Sequence, residues 1–265
     1  MRWLFVDETN NSPKDGTFFI CGGLAMESSQ IAAAHDMVQE VREQYGFQDT
    51  DQFKFQTASR PKGMDLATWT DAKRTALERA SEIGVDLFVY AIHHGIASGQ
   101  ADRTAEYGLN AIIAKFGMAY LEELDDYGAV CIDRVDPKFG FSYFRDRFQQ
   151  PLNLPDGRQP KVERVVHYSM SCDGASHVSS LVDLAIGGIR YCMNAATGNG
   201  SDDVAAKIMP PLVDLLWSKE INGSIVARDY GFLLYPRTIK AEVYKQAYKD
   251  LTTTLTKYLP EEAES

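Results

Sequence analysis

Apolar runs and polar breaks alternate along this chain at spacings that predict a sheet flanked by helices. Trp3-Leu4-Phe5-Val6 is apolar without polar alternation, the pattern of a strand covered on both faces. The turn-rich stretch Asn10-Asn11-Ser12-Pro13-Lys14-Asp15-Gly16 separates it from a second apolar run, Phe18 to Ala25, and the two predict an antiparallel hairpin with a long loop. Ile31, Ala34, Val38, Val41 and Tyr45 then recur at helical spacing behind a serine cap at Ser28 or Ser29, and Gly46 closes that helix. Phe53-Lys54-Phe55 reads as a short extended stretch, followed by a polar loop at 59–63 and a second helix over about 65–82. The β-branched and aromatic run at 85–92 predicts a third strand. From there helix and strand alternate: a helix at 103–126, a strand from Gly128 to Asp133, a short helix at 141–149, a strand at 162–167 and a long apolar helix at 176–194. Helices near 203–217 and 238–258 close the chain.

A hairpin, a third strand and then alternating crossovers predict an α/β fold with a mixed sheet and helices on both faces; a ribonuclease H-like fold is one such arrangement. Residues 1–265 read as a single domain, with a helical insertion after the second strand over about 27–84 and a helical C-terminal extension over about 200–265. No internal repeat or low-complexity run interrupts it.

Acids break the apolar pattern at three places. Asp7 and Glu8 end the first strand, Asp133 ends the strand Ala129-Val130-Cys131-Ile132, and Asp183 sits inside Ser180-Leu181-Val182-Asp183-Leu184-Ala185-Ile186, well past the first turn of its helix. A carboxylate beside such apolar sequence is costly to bury unless a cation or hydrogen-bond donors compensate. If the first strand and the Gly128–Asp133 strand are neighbours and parallel, their ends lie roughly 5 Å apart. Acids from separate elements that meet at one point suit a hard divalent cation, and phosphodiester hydrolysis is chemistry that such cations serve. Glu8 alternates to the other face of its strand. Lys54 is a candidate counterion or phosphate contact, and a solvent-facing residue of an edge strand is the plain alternative.

In order along the chain, Val6-Asp7-Glu8-Thr9, Gly22-Gly23 after the second strand, the isolated Lys54, the strand-closing Asp133 and Ser180-Leu181-Val182-Asp183 resemble the motifs of the domain of unknown function 3800 family, over about residues 3–196. The resemblance implies a ribonuclease H-like, metal-dependent nuclease in which Asp7, Asp133 and Asp183 hold Mg2+ or Mn2+, with Glu8 and Lys54 beside them and nucleic acid as the substrate. The chain departs from the family pattern where Thr9-Asn10 replaces Ser-Gly and where Ser180 replaces a glutamine.

Composition limits the alternatives. The net charge of −10 weighs against coating duplex nucleic acid by charge alone, although a local basic groove remains open to Arg134, Lys138, Arg145 and Arg147. Cys21, Cys131, Cys172 and Cys192 form no Cys-x-x-Cys pair and read as buried hydrophobes in a reducing compartment. The N-terminus lacks the features of a secretory signal and no apolar stretch approaches membrane-spanning length, so a cytoplasmic protein with no membrane partner is expected. His177 lies one or two turns before Asp183, within reach of the same site, yet like His93-His94, Glu106 and Cys172-Asp173 it reads as an ordinary polar residue. A non-catalytic nucleic-acid- or protein-binding scaffold is the alternative to the nuclease. A phosphatase with a nucleophile at the end of its first strand wants a second Asp two residues on, where this chain has Thr9.

Overall fold

The computed structural model describes residues 1–97, 101–133, 137–147, 149–171 and 176–260. Strands β1 (Arg2–Thr9) and β2 (Phe18–Glu27) form the hairpin, helices α1 (Ser28–Gln44) and α2 (Leu66–Ile83) follow, and β3 (Asp86–His93) returns to the sheet. Helices α3 (His94–Ala97), α4 (Ala101–Lys115) and α5 (Leu121–Glu123), the last two joined by a π-helical turn, lead into β4 (Gly128–Ile132), α6 (Pro137–Arg147) and β5 (Val165–Met170). Then come α7 (His177–Ala196), α8 (Asp202–Leu215), a small hairpin of β6 (Lys219–Ile221) and β7 (Ser224–Val226), strand β8 (Phe232–Tyr235) and α9 (Glu242–Lys257).

Six of these strands form one sheet in the order β5-β4-β1-β2-β3-β8. β2 is antiparallel to both its neighbours, while β4 on β1, β5 on β4 and β8 on β3 are parallel. The result is a mixed α/β sheet in which β2 alone runs against the rest. β2 and β4 are buried almost throughout, as continuous apolar strands covered on both faces require. On one face Ala34 and Val38 of α1, Trp69 and Leu77 of α2, Leu184 of α7, Ile208 of α8 and Leu251 of α9 share a hydrophobic layer. On the other, Leu109, Ile112 and Ile113 of α4 pack with Phe116, Tyr120, Tyr143 and Trp217.

Several elements differ from their sequence pattern, each for a physical reason. Residues 27–84 are helical in α1 and α2, and both helices belong to the same layer as α7 and α8. The C-terminal extension is not wholly helical: β8 pairs with β3 from Val89↔Phe232 to Ile92↔Tyr235, filling the ladder that β3 otherwise leaves open. Four residues carry too little periodicity to announce such a strand. The fifth strand begins at Val165 rather than at 162 and forms the opposite edge, with Val166 and Met170 exposed. The Phe53–Phe55 stretch is irregular; both phenylalanines are buried, and the Phe55 N–H is taken by a side chain instead of a strand partner. α6 starts at Pro137, a residue whose fixed φ suits a first helical turn.

Candidate functional site

In the parallel pair β1/β4, Val6 stands opposite Ile132, so Asp7 and Asp133 arrive at the same edge of the sheet. The Asp133 N–H donates to the Val6 carbonyl at 2.7 Å, carrying the ladder one step beyond the strand. α7 packs across β1 and β2 and brings Asp183 over this edge. Gly22 is the hairpin partner of Asp7, and a Cβ there would stand 2.6 Å from Ile186 Cδ1; bare backbone at that point is what lets α7 lie so low on the sheet.

Asp7, Glu8, Asp133 and Asp183 thereby line one pocket of about 370 Å³, together with Lys54, Gln56 and Arg190. Glu8 is paired with Cys21, on the face opposite to Asp7, yet at the end of the strand it still borders the same space. Asp183 accepts the Phe55 N–H at 2.6 Å. That bond depends on Gly187, one turn further along α7, because a Cβ at 187 would fall 2.3 Å from Phe55 Cβ. The clamped Phe55 places Lys54 on the pocket wall. Behind Phe55 lies Lys73 of α2, only 3% exposed, with Nζ 3.4 Å from the Phe55 carbonyl and 4.1 Å from the centroid of its ring. Burial, reinforced by the charge of Arg190, lowers the Lys73 pKa to about 8.

The carboxylates are crowded and poorly solvated. Burial first, then repulsion from Glu8, Asp133 and Asp183, pushes Asp7 up to about 7, against one favourable bond in which the Glu8 N–H donates to its Oδ1 at 2.8 Å. Burial and Asp133 also raise Glu8. Asp183 is raised by burial, and the Phe55 N–H, Lys54 and Arg190 offset part of that cost. Asp133 accepts a 3.1 Å hydrogen bond from the Ser171 hydroxyl. Among the described residues, no group of three or more His, Cys, Asp or Glu side chains forms a set able to grip a metal ion as it stands. The donor chemistry nonetheless suits a hard dication, since the pocket offers carboxylate oxygens whose mutual repulsion such an ion would relieve.

The structure thus gathers all five residues singled out from sequence, Asp7, Glu8, Lys54, Asp133 and Asp183, around one space. It also adds Arg190, Gln56, Ser171 and Lys73, which sequence reasoning missed. Arg190 had a signal: 183, 187 and 190 follow helical spacing on one stripe of α7. Lys73 and Ser171 had none, because contacts distant in sequence give them their roles.

Other candidates lie elsewhere. His177 does not reach Asp183; its Nε2 is 2.9 Å from Gln39 Oε1 and its ring lies 4.6 Å from that of His35, since six residues make about 1.7 helical turns and carry the two side chains to different faces. The His94 ring meets the Asn10 carbonyl at 2.8 Å, and the His93 ring accepts the Gly95 N–H. Glu106 of α4 is not among the residues that line the pocket; its charge bears on Tyr143. Arg145 pairs with Asp146, and Arg147 donates to the Tyr143 carbonyl and to Asn110 Oδ1. Arg134, Cys172 and Asp173 lie outside the described residues, as does the side chain of Lys138. Cys21, Cys131 and Cys192 are buried free thiols. No helix among the described residues is long and apolar enough to cross a membrane. No family model, curated protein or solved structure matches the chain.

Proposed function

We propose that the protein is a divalent-metal-dependent nuclease of ribonuclease H-like fold, hydrolysing phosphodiester bonds of RNA or DNA. One observation carries this reading: Asp7, Asp133 and Asp183, from two strands and a helix widely separated along the chain, line a single pocket, with Glu8 beside them. The sheet adds support, because the antiparallel run β1-β2-β3 continues beyond β1 into the parallel strands β4 and β5 with helices on both faces, the arrangement expected of that fold, while β8 adds a parallel strand at the other edge. So does the departure from the family motif at Asn10. Its φ of 55° lies in the region glycine favours, and asparagine is among the few other residues that enter it readily, so the turn after the acids is kept.

Asp7, Asp133 and Asp183 would hold Mg2+ or Mn2+, with Glu8 at the margin. A bound dication supplies charge neutralisation and a more acidic water. The protein's own residues do the rest. Lys54 and Arg190 stand on the same wall and offer positive charge to the phosphate oxygens of a nucleic-acid strand. The Phe55–Asp183 bond and the Ser171–Asp133 bond fix the orientation of two of the acids. Burial first, then crowding, lets Asp7 hold a proton up to about pH 7 when no cation is present.

A second reading has its own observation. Lys54 and Arg190 already offset the charge of Asp183, so a scaffold domain with a self-neutralised pocket fits the same geometry. Titration calorimetry with manganese separates the two. Wild type is expected to bind, with Asp7→Asn and Asp183→Asn each weakened by more than the roughly 10–100-fold that loss of a supporting contact around a metal site costs. Identical curves for all three proteins would end the metal-site reading. Cleavage assays on single-stranded and duplex DNA, RNA and hybrids then name the substrate, and metal binding without any product would favour the scaffold.

A further inference from the structure

A second cavity, of about 290 Å³, opens on the α4 side of the sheet between α4, the segment around Leu154 to Arg158 and β8. Its size is at the lower end for small-molecule sites, which run to about 300–1,000 Å³. Nothing in the nuclease reading uses it. Tyr90 of β3 lines it, and the Tyr90 ring stacks on that of Tyr235 of β8 with centroids 5.9 Å apart. Tyr90 is 1% exposed, yet its hydroxyl has no hydrogen-bond partner among the described residues. The hydroxyl is not among the fully enclosed unpartnered atoms, which are Arg2 Nε, Asn10 Oδ1 and Trp69 Nε1 among the described residues, and it borders the cavity. Burial also pushes its pKa far up, so at neutral pH it remains a donor.

Lys115 of α4 lines the same cavity. Its Nζ lies 5.3 Å from the ring centroid of Trp217 and 5.0 Å from that of Tyr230, and it makes no ion pair among the described residues. At the mouth, Arg158 and Arg237 are exposed and paired with Asp156 and Asp229. Among the described residues that line the cavity, Lys115 is a cation held in no ion pair, with the charge of Asp229 acting on it from a distance. The remaining wall is mostly alanine, methionine and leucine. A stacked aromatic pair, an unused hydroxyl donor and a partly desolvated ammonium define complementary demands: a flat apolar ring, an acceptor and a negative charge.

We propose that this cavity binds a small planar aromatic anion of about mononucleotide size, its ring against Tyr235 and the apolar wall, an acceptor at the Tyr90 hydroxyl and its anionic group at Lys115. Either a nucleoside monophosphate or an aromatic carboxylate presents that chemistry. The site lies on the far side of the sheet from Asp183, and its ligand needs no divalent cation.

Calorimetry on the full chain in excess chelator tests this with adenosine 5′-monophosphate, indole-3-carboxylate and neutral adenosine as probes. At least one anion is expected to bind at submillimolar concentration, with adenosine about 10-fold weaker or worse. Binding of the nucleotide alone assigns a phosphate, whereas binding of both assigns any aromatic anion. Lys115→Met should weaken the bound anion by about 10-fold or more and Tyr90→Phe by several-fold, while Asp7→Asn leaves it unchanged. Circular dichroism checks that each variant is folded, and if Lys115→Met is not, Arg237→Gln at the exposed mouth takes its place with a several-fold loss expected. Absence of binding by either anion at millimolar concentration overturns the proposal, as does equal binding by wild type and the folded cation variant.

Discussion

The acidic pocket at the ends of β1 and β4 and the aromatic cavity beside α4 show opposite consequences of the same desolvation. In the first, four carboxyl groups crowd together, and burial pushes Asp7, Glu8 and Asp183 up. In the second, burial, with Arg237 as a further contributor, pushes the Lys115 ammonium down. Each site holds charge that its own surroundings penalise, and each would be relieved by a ligand of the other sign. The acidic pocket differs in one respect that matters for chemistry: its charges come from separate elements, so relieving them also tightens the tertiary structure.

The largest effect that sharpens this contrast is on stability, and it runs against intuition. The Asp7 pKa rises from 3.8 unfolded to about 7 folded, so the ionised form costs stability, fully above about pH 7 and not at all below about pH 4. In chelator, Asp7→Asn should therefore be more stable than wild type by an amount of order 4 kcal/mol at pH 8. The difference should shrink as pH falls from 7 to 4, as read by urea denaturation at a series of pH values. A variant that is less stable at pH 8 would show that Asp7 is not penalised. Saturating manganese should reverse the order, because only wild type retains the full carboxylate set.

Next is Gly187→Ala, which sets a methyl group against Phe55 and should cost about 1–3 kcal/mol by overpacking. Because Phe55 also carries the Asp183 bond and the position of Lys54, the proposed manganese binding and cleavage should fall in this variant even at temperatures where it is fully folded. Lys73→Met tests the cation behind that loop. Its folded pKa, about 8, lies below the unfolded 10.5, so the charged form costs stability below about pH 8 and the cost fades toward pH 10.5. After allowing for the lost bond to the Phe55 carbonyl, a gain of about 2 kcal/mol is expected at pH 7 and little above pH 10. The smallest effect belongs to ordinary surface charge. Arg74 bridges Asp71 and Glu78 on a half-buried face of α2, and Arg74→Ala should change stability, read by urea denaturation, by no more than about 1 kcal/mol, less in high salt.

Much of this arrangement was legible in the chain. β2, β3 and β4 are apolar runs that bury both faces, β1 is an apolar run that buries Leu4 and Val6 and half-buries Trp3 and Phe5, and such runs announce themselves without tertiary context. Asp7 and Asp133 stand out because each ends one of them, and Asp183 because apolar helix surrounds it. β8 was not legible, since a four-residue segment becomes a strand only when β3 offers it a ladder. Phe53–Phe55 joins no ladder for the converse reason: the Phe55 backbone donor goes to Asp183, a partner no local pattern reveals.

By itself, then, the sequence determined which stretches must leave water and which acids they carry with them, because periodicity and side-chain polarity are local properties. Only the tertiary structure decided that these acids share a space, that Arg190, Lys73 and Ser171 attend them, and that Tyr90 and Lys115 face a cavity of their own. Those are facts of proximity between residues far apart along the chain, set by strand order and by how closely α7 and α4 approach the sheet.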